Sequence, residues 1–508
     1  MKLRINFLHP LPWILIGLLL STSLAVHVKF SPDSAHYVDI ARNLSSGHGF
    51  STYHLNLNSS SVPDRTLLWP PLYPILLAIG MRIGLGTIWA VRMVLILSFL
   101  LISVCIYILG RFYSSSHFGT ICIIIWLCIT PFIINIYTYA WSEPPFIALS
   151  LAFIVVFIYA VKKSFSFINL FIAGILAGLA TMCRYIGITS IFAGFLSLAF
   201  LFFMAKSNRN IIYFLKCILC LFIGFAVISF PWFIHNAFLA GSITGTSRPL
   251  SVSGPTVNII RFIGLLGKDL VLPLGIMATF LILCHLNHRN WSSLLKNIWG
   301  SENRAVLVIS ITWILLYSIF LIVLLSIYQM GEPLNTRYTC PIYSALIPLL
   351  VYLGYGIYVA QQDRQIKFPN FALGIVFLLI LATSLVNVGI ESHLVIEEKS
   401  NVAKIESWIK EETPETSLFV GKAIWWIRFE TGRAVLESGY PSMPELNPKR
   451  VSDFLRRFGK NFNRIYLFFS TATLEDYNQI QEYRKLGYSL NQQVIEGNQT
   501  VYEILYNY

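Results

Sequence analysis

The sequence predicts a mainly α-helical protein that crosses a membrane many times and ends in a small α/β domain. Three observations carry that prediction. Hydrophobic residues make up 56% of the 508 positions and charged residues 12%, more apolar surface than a soluble chain can hide. Apolar runs of about 20 residues, the length that crosses a bilayer, recur through residues 1–390. Beyond residue 391 the composition turns charged and alternates between helix and strand patterns.

The apolar runs fall near 11–28, 88–110, 118–136, 144–161, 167–183, 186–205, 211–233, 269–286, 304–328, 339–360 and 370–390, about eleven spans. Lys2 and Arg4 ahead of 11–26 look like a secretory leader. The run is long for one, however, and no small-x-small cleavage pattern precedes Asp33, so a retained first helix is expected.

Sidedness turns on residues 70–86. As a full span they would place Lys162, Lys163, Lys206 and Arg209 on the side of the polar first loop, 29–87. As a surface or re-entrant helix they leave Lys2, Arg4, Arg111, Lys162, Lys163, Lys206, Arg209, Arg289, Lys296, Arg364 and Lys367 together, as the positive-inside rule requires. Pro70, Pro71, Pro74 and the Met81-Arg82 break favour the second arrangement. The N-terminus is then cytoplasmic, and the protein is expected in the plasma or inner membrane. The first loop, the turn at Glu143, the loop 234–267, the turn 329–338 and the domain 391–508 share the extracytoplasmic face.

Composition also excludes. The net charge of +13 sits in short loops between spans, which argues against nucleic acid as a partner. The eight cysteines lie in or beside apolar spans and define no disulfide framework; the Cys217/Cys220 pair reads as helix packing. The spans hold no central Asp, Glu, Lys or Arg, since Arg92 and Lys216 lie about one turn from helix ends. That counts against an ion-coupled transporter.

Polar residues gather instead at one rim. Ser31-Pro32-Asp33-Ser34-Ala35-His36-Tyr37 follows the first span. Residues 34–45 read as an amphipathic surface helix, with Tyr37, Ile40, Ala41 and Leu44 on one face and His36, Asp39 and Asn43 elsewhere. Asp33 stands where an N-cap would stand. The loop then runs to Trp69-Pro70-Pro71-Leu72-Tyr73-Pro74. Further along come Trp141-Ser142-Glu143-Pro144-Pro145, Arg184-Tyr185 after Gly174-xxx-Gly178, His235-Asn236, and Arg337-Tyr338-Thr339-Cys340-Pro341.

In that order along 1–390, these segments resemble the membrane glycosyltransferases of the GT-C fold that use polyprenyl-phosphate sugars, the protein mannosyltransferase and aminoarabinose transferase group. The resemblance implies that Asp33 is the general base taking the acceptor's proton; spacing alone leaves it an N-cap. It makes Glu143 a second cavity carboxylate with a catalytic role, and a candidate ligand for a divalent cation that offsets a departing phosphate. The ordinary reading of Glu143 is helix-dipole complementation. Arg337 and Tyr338 match an Arg-Tyr-x-x-Pro signature, and a guanidinium grips a lipid phosphate bidentately; interfacial anchoring is the alternative. Arg184 and Tyr185 divide between phosphate binding and headgroup anchoring. His235 stands where relatives carry Arg. His36, Arg65 and Tyr73 complete the substrate-binding set. A Glu-Lys-Pro of the aminoarabinose-type enzymes is replaced by Leu68-Trp69-Pro70, with Asp64 and Arg65 upstream, which leaves the metal requirement open.

Two domains are expected: a transmembrane catalytic region, 1–390, and a soluble α/β domain, 391–508. In the latter, helices are predicted at 401–412, 448–459 and 475–486, with strands at 417–421, 464–469 and 500–505. It has no Gly-rich nucleotide fingerprint and is assigned no chemistry. The reading is an inverting transferase moving a sugar from a polyprenyl-phosphate donor to a glycan, lipid or protein acceptor. The rivals are an oligosaccharide ligase using a diphosphate donor and a lipid or glycan transporter.

Overall fold

The computed structural model describes residues 28–57, 59, 61–113, 122, 135–204, 211–245, 257–265, 304–327, 334–359, 403–422, 424–438, 446–469, 474–496 and 499–505. The first loop is built, not slack. It holds helix α1 (Pro32–Ser45), the short strands β1 (Ser51–Thr52), β2 (His54–Leu55) and β3 (Asp64–Arg65), and helix α2 (Leu72–Arg82). β1 and β3 pair antiparallel, setting Ser51 against Arg65.

Two expectations for α1 are corrected. The N-cap is Ser31, whose hydroxyl accepts from the Ser34 amide, with Pro32 in the first turn; proline suits that place because its missing N–H would have no helical partner. Asp33 therefore lies one residue inside the helix, and its carboxylate is not spent on the cap. Nor does α1 keep a solvated polar face. His36, Asp39 and Asn43 are as buried as Tyr37 and Ile40, because the loop and the C-terminal domain close over them.

At 11 residues, α2 is about 16 Å long, roughly half a bilayer's apolar core. It packs between α1 and α3 (Thr87–Tyr113), with Tyr73 and Leu77 fully buried.

The bundle continues as α4 (Glu143–Lys162), α5 (Phe167–Cys183), α6 (Ile188–Met204), α7 (Ile211–Ala240), α8 (Arg304–Ile327) and α9 (Thr336–Val359). With α3, these coincide with the spans expected at 88–110, 144–161, 167–183, 186–205, 211–233, 304–328 and 339–360. Among the described residues, five helical segments are long and apolar enough to cross a membrane: Thr87–Phe112, Glu143–Lys162, Tyr185–Met204, Ile211–Ala240 and Arg304–Ile327. The spans expected at 11–28, 118–136, 269–286 and 370–390 lie wholly or mostly outside the described residues. Leu215, Leu219, Ile223, Val227 and Phe230 of α7 are exposed, as a helix facing lipid requires.

Small residues bring α5 and α7 together. A Cβ on Gly174 would sit 2.1 Å from the Leu221 carbonyl oxygen, and one on Gly224 2.1 Å from that of Phe171. The backbones touch, as small-xxx-small packing predicts. Cys217 is buried in α7, its thiol 4.0 Å from the Phe165 carbonyl.

The C-terminal region is a three-layer α/β unit. Its elements are α10 (Ala403–Glu412), β4 (Ser417–Lys422), α11 (Trp425–Thr431), β5 (Ala434–Ser438), α12 (Pro448–Phe458), β6 (Arg464–Phe469), α13 (Leu474–Lys485), β7 (Ser489–Glu496) and β8 (Gln499–Leu505). The sheet order is β2-β5-β4-β6-β8-β7. Alternation along β4 sends Leu418 and Val420 to one face, with Val451 and Phe454 of α12, and Phe419 to the other, with Ile405 and Ile409 of α10. Helices 401–412, 448–459 and 475–486 and strands 417–421, 464–469 and 500–505 are found within a residue or two. Missed were the seven-residue helix α11, the strand β5, short and continuously apolar at its start, and β7, a polar edge strand. The sixth strand, β2, comes from the first loop and pairs parallel with β5, His54 against Val435.

Gly224→Ala should lower the thermal midpoint in detergent, with a cost of about 1–3 kcal/mol or more from overpacking. Gly86→Ala, where a Cβ meets nothing within 4 Å, should leave it nearly unchanged.

Candidate active site

Two backbone bonds bring the start of α1 to the start of α4. The Lys29 amide donates to the Thr138 carbonyl at 2.6 Å and the Ala140 amide to the Lys29 carbonyl at 3.0 Å. Side chains extend the seam: Trp141 Nε1 donates to Ser31 Oγ at 2.7 Å, and Tyr37 Oη lies 3.2 Å from Ser142 Oγ. Asp33 and Glu143 are thereby set on neighbouring helix N-termini.

Arg337 arrives from the first turn of α9, whose start is fixed by the Arg337 amide donating to Asn335 Oδ1 at 3.0 Å. Its Nη2 donates to Asp33 Oδ2 at 2.7 Å, and its Nε donates to Glu143 Oε1. Arg184, leaving α5, places Nη1 2.5 Å from the same Glu143 oxygen and donates to Ser142 Oγ at 3.3 Å. The Arg337 guanidinium lies over the Trp141 ring at 4.1 Å, with Tyr338 at 5.8 Å. Tyr338 also faces Arg184, at 6.0 Å. Four of the predicted residues thus form one charge cluster, and Tyr338 flanks it.

The cluster is balanced and graded in exposure. Two carboxylates face two guanidiniums, so formal charge cancels. The side chains of Arg337 and Glu143 are 3% and 2% exposed, whereas Asp33 is 28% exposed. Asp33 is the more exposed of the two carboxylates. Glu143 Oε2 is buried with no hydrogen-bond partner among the described residues.

Two guanidiniums supply positive charge beside these carboxylates. Glu143 Oε1 is shared by both guanidiniums and Asp33 Oδ2 is held by one. Among the described residues no three His, Cys, Asp or Glu side chains come together as a metal site.

The other predicted residues are arranged around this centre. Tyr185 accepts hydrogen bonds at its hydroxyl from Trp232 Nε1 at 3.0 Å and Asn236 Nδ2 at 3.2 Å. Tyr73 is buried edge-on against Tyr37, ring centroids 5.1 Å apart. His36 stacks on His54 at 3.9 Å, away from the charge cluster. His235 is exposed and stacks on Trp232 at 5.4 Å; Arg65 is exposed in β3. No described contact joins His36, His235 or Arg65 to the four charged residues. Residues that sequence reasoning passed over are Tyr37, Trp141 and Ser142, which knit the cluster's walls. Their signal was present, since each flanks a carboxylate inside a segment already singled out. Burial, then the nearby Asp33 charge, pushes the Tyr37 phenol up, so Tyr37 acts as a neutral hydrogen-bonding group.

The profile of the dolichyl-phosphate-mannose-protein mannosyltransferase family matches residues 69–232. No curated protein sequence matches. Among solved structures, ArnT from Cupriavidus metallidurans bound to undecaprenyl phosphate superposes with a TM-score of 0.61 at 13% identity, covering 97% of both chains. The oligosaccharyltransferase AglB from Archaeoglobus fulgidus, in complex with an inhibitory peptide and a dolichol-phosphate, gives 0.51 at 13% identity, covering 98% of this chain and 74% of that one. Arabinofuranosyltransferase AftD from Mycobacteria gives 0.53 at 11% identity, covering 97% of this chain and 41% of that one. The fold is the GT-C fold that the sequence resemblance implied, and the protein is a membrane protein.

Removing Glu143 takes the carboxylate from Arg184 and leaves the buried Arg337 with Asp33 alone. Glu143→Ala should therefore cost about 3–5 kcal/mol, against about 1–2 for Asp33→Ala, read as the difference in detergent unfolding free energies. Burial, with His54 adding to it, holds the His36 imidazole well below its ordinary value of 6.5. The folded state then binds fewer protons than the unfolded state below about pH 6.5, so stability falls as pH drops below that point. His36→Asn should flatten that decline by up to about 1.4 kcal/mol per pH unit, measured as thermal midpoints between pH 7 and 5.

Proposed function

We propose that this protein is a glycosyltransferase that moves a sugar from a polyprenyl-phosphate donor to a hydroxyl acceptor, with Asp33 as general base. The observation that carries the reading is the Arg337–Asp33 contact, 2.7 Å between residues 304 apart in sequence. It sets a base and a phosphate-binding guanidinium side by side at the accessible edge of a buried charge cluster. The likeness to ArnT bound to undecaprenyl phosphate and to AglB bound to a dolichol-phosphate supports the donor class.

In this reading Asp33 accepts the acceptor's hydroxyl proton as that oxygen bonds to the anomeric carbon. The carbon–oxygen bond to phosphate breaks, and its electron pair leaves with the lipid phosphate. Arg337 is the nearest donor to that developing charge, with Arg184 behind it. The contact between Arg337 and Asp33 pairs the carboxylate with the guanidinium until substrate enters. The arriving phosphate then competes for Arg337 and frees Asp33 to take the proton. A single displacement inverts the anomeric centre. Positive-inside charge supports a pocket, and an α/β domain, on the extracytoplasmic side of the plasma or inner membrane.

Asp33→Asn should lower the transfer rate by about 10²–10⁴ in liposomes while the protein stays folded; full activity in that variant would remove the base. Arg337→Lys should also lose most activity, since one ammonium cannot hold both carboxylates and a phosphate. Comparing mono- and diphosphate lipid donors separates this reading from the oligosaccharide ligase.

A further inference from the structure

The C-terminal domain grips the same helix that carries Asp33. Asp39, two turns along α1, is 1% exposed and lies 2.5 Å from Arg428 Nη2 of α11. Its other oxygen, Oδ2, accepts from Thr52 Oγ1 at 2.6 Å and from the Tyr53 amide at 2.7 Å. Arg428 also donates to the Gly432 carbonyl that ends α11 and lies over the Tyr53 ring at 4.8 Å. One residue-turn further, Arg42 reaches across to the carbonyls of Arg428 and Phe429, at 3.2 and 2.9 Å. Phe30, just before α1, stacks on Phe429 at 3.5 Å.

A second junction lies beside the first. β2 extends the C-terminal sheet beyond β5, and His54 Nε2 meets Glu437 of β5, both side chains wholly buried. Arg457 of α12 donates to the Leu57 carbonyl at 3.4 Å. These contacts are polar, directional and mostly buried, unlike the loose docking of an appended domain.

We propose that the C-terminal domain is a clamp that sets the position of α1, and that Arg428 is a positioning residue for Asp33, acting through Asp39. The inference rests on the transferase reading only for its kinetic consequence. Burial by itself raises the Asp39 carboxyl, but the Arg428 guanidinium and the hydrogen bonds outweigh it and hold the group below its ordinary value. The clamp is therefore charged and closed at neutral pH. Asp33 is six residues from Asp39, about 9 Å along the helix, so a tilt of α1 released at Asp39 moves Asp33 relative to Arg337. A misplacement of about 1 Å at a reacting group costs on the order of 100-fold in rate.

The test uses the full chain in liposomes with a polyprenyl-phosphate sugar donor, and hydrogen–deuterium exchange of α1 on the same samples. Arg428→Ala should cut kcat by about 10- to 100-fold with donor KM within about threefold. Exchange at residues 34–43 should rise at least tenfold while the bundle helices α5 and α7 keep their protection. Arg428→Lys, which keeps the charge without the fork, should recover part of both losses. Should Arg428→Ala fail to fold, Thr52→Val removes one bond to Asp39 and should give the same split at smaller size. Unchanged kcat together with unchanged exchange in α1 would overturn the clamp, as would a loss confined to KM. If the wild-type protein transfers no sugar, the transferase reading fails; the exchange comparison still decides the clamp.

Discussion

Everything at the candidate site depends on a buried guanidinium that must be neutralised. Arg337 is almost fully enclosed, and leaving it without counter-charge in that environment costs several kcal/mol. Its partners are a carboxylate 304 residues away and another 194 residues away. The start of α9 can therefore be buried only where α1 and α4 present Asp33 and Glu143 together. The ion cluster acts as a register pin for three helix N-termini, and Arg184 adds the second positive charge that two carboxylates require.

The same principle recurs one layer outward. Asp39 and Arg428 are an enclosed pair of opposite sign joining α1 to α11, and His54 and Glu437 join β2 to β5. The first loop is thus held from below by the helix bundle and from above by the α/β unit. β2 makes the continuity literal, since a strand of the loop is an edge strand of the C-terminal sheet. Asp33, the more exposed carboxylate of the charge cluster, sits on the helix that both supports hold.

Where sequence reasoning succeeded and failed follows from the range of the interactions involved. The spans that became α3 to α9 were legible because apolar length is a local property. Gly174 and Gly178 were legible as a contact surface because a missing Cβ has one common use in a bundle. The cap of α1 was misassigned to Asp33 because Ser31 and Asp33 are both good cap formers, and Pro32 decides between them by taking the first helical position. The polar face of α1 was misread as solvated because amphipathic spacing records which residues are polar, not what covers them. Asp39 and Asn43 look like surface residues until Arg428, Thr52 and Ser51 close over them.

The sequence by itself determined the membrane-spanning class, the charged α/β tail, and the residue types of the site, since hydropathy, alternation and short motifs are written in neighbouring positions. Tertiary structure alone decided that Arg337 binds two carboxylates at once, that His36 turns to His54, and that a strand of the first loop enters the C-terminal sheet. The first and last of those outcomes depend on pairing between segments hundreds of residues apart, and the second on the first loop folding back on itself. Such pairing is settled by the cost of burying an unpaired charge or strand edge, which no local pattern records.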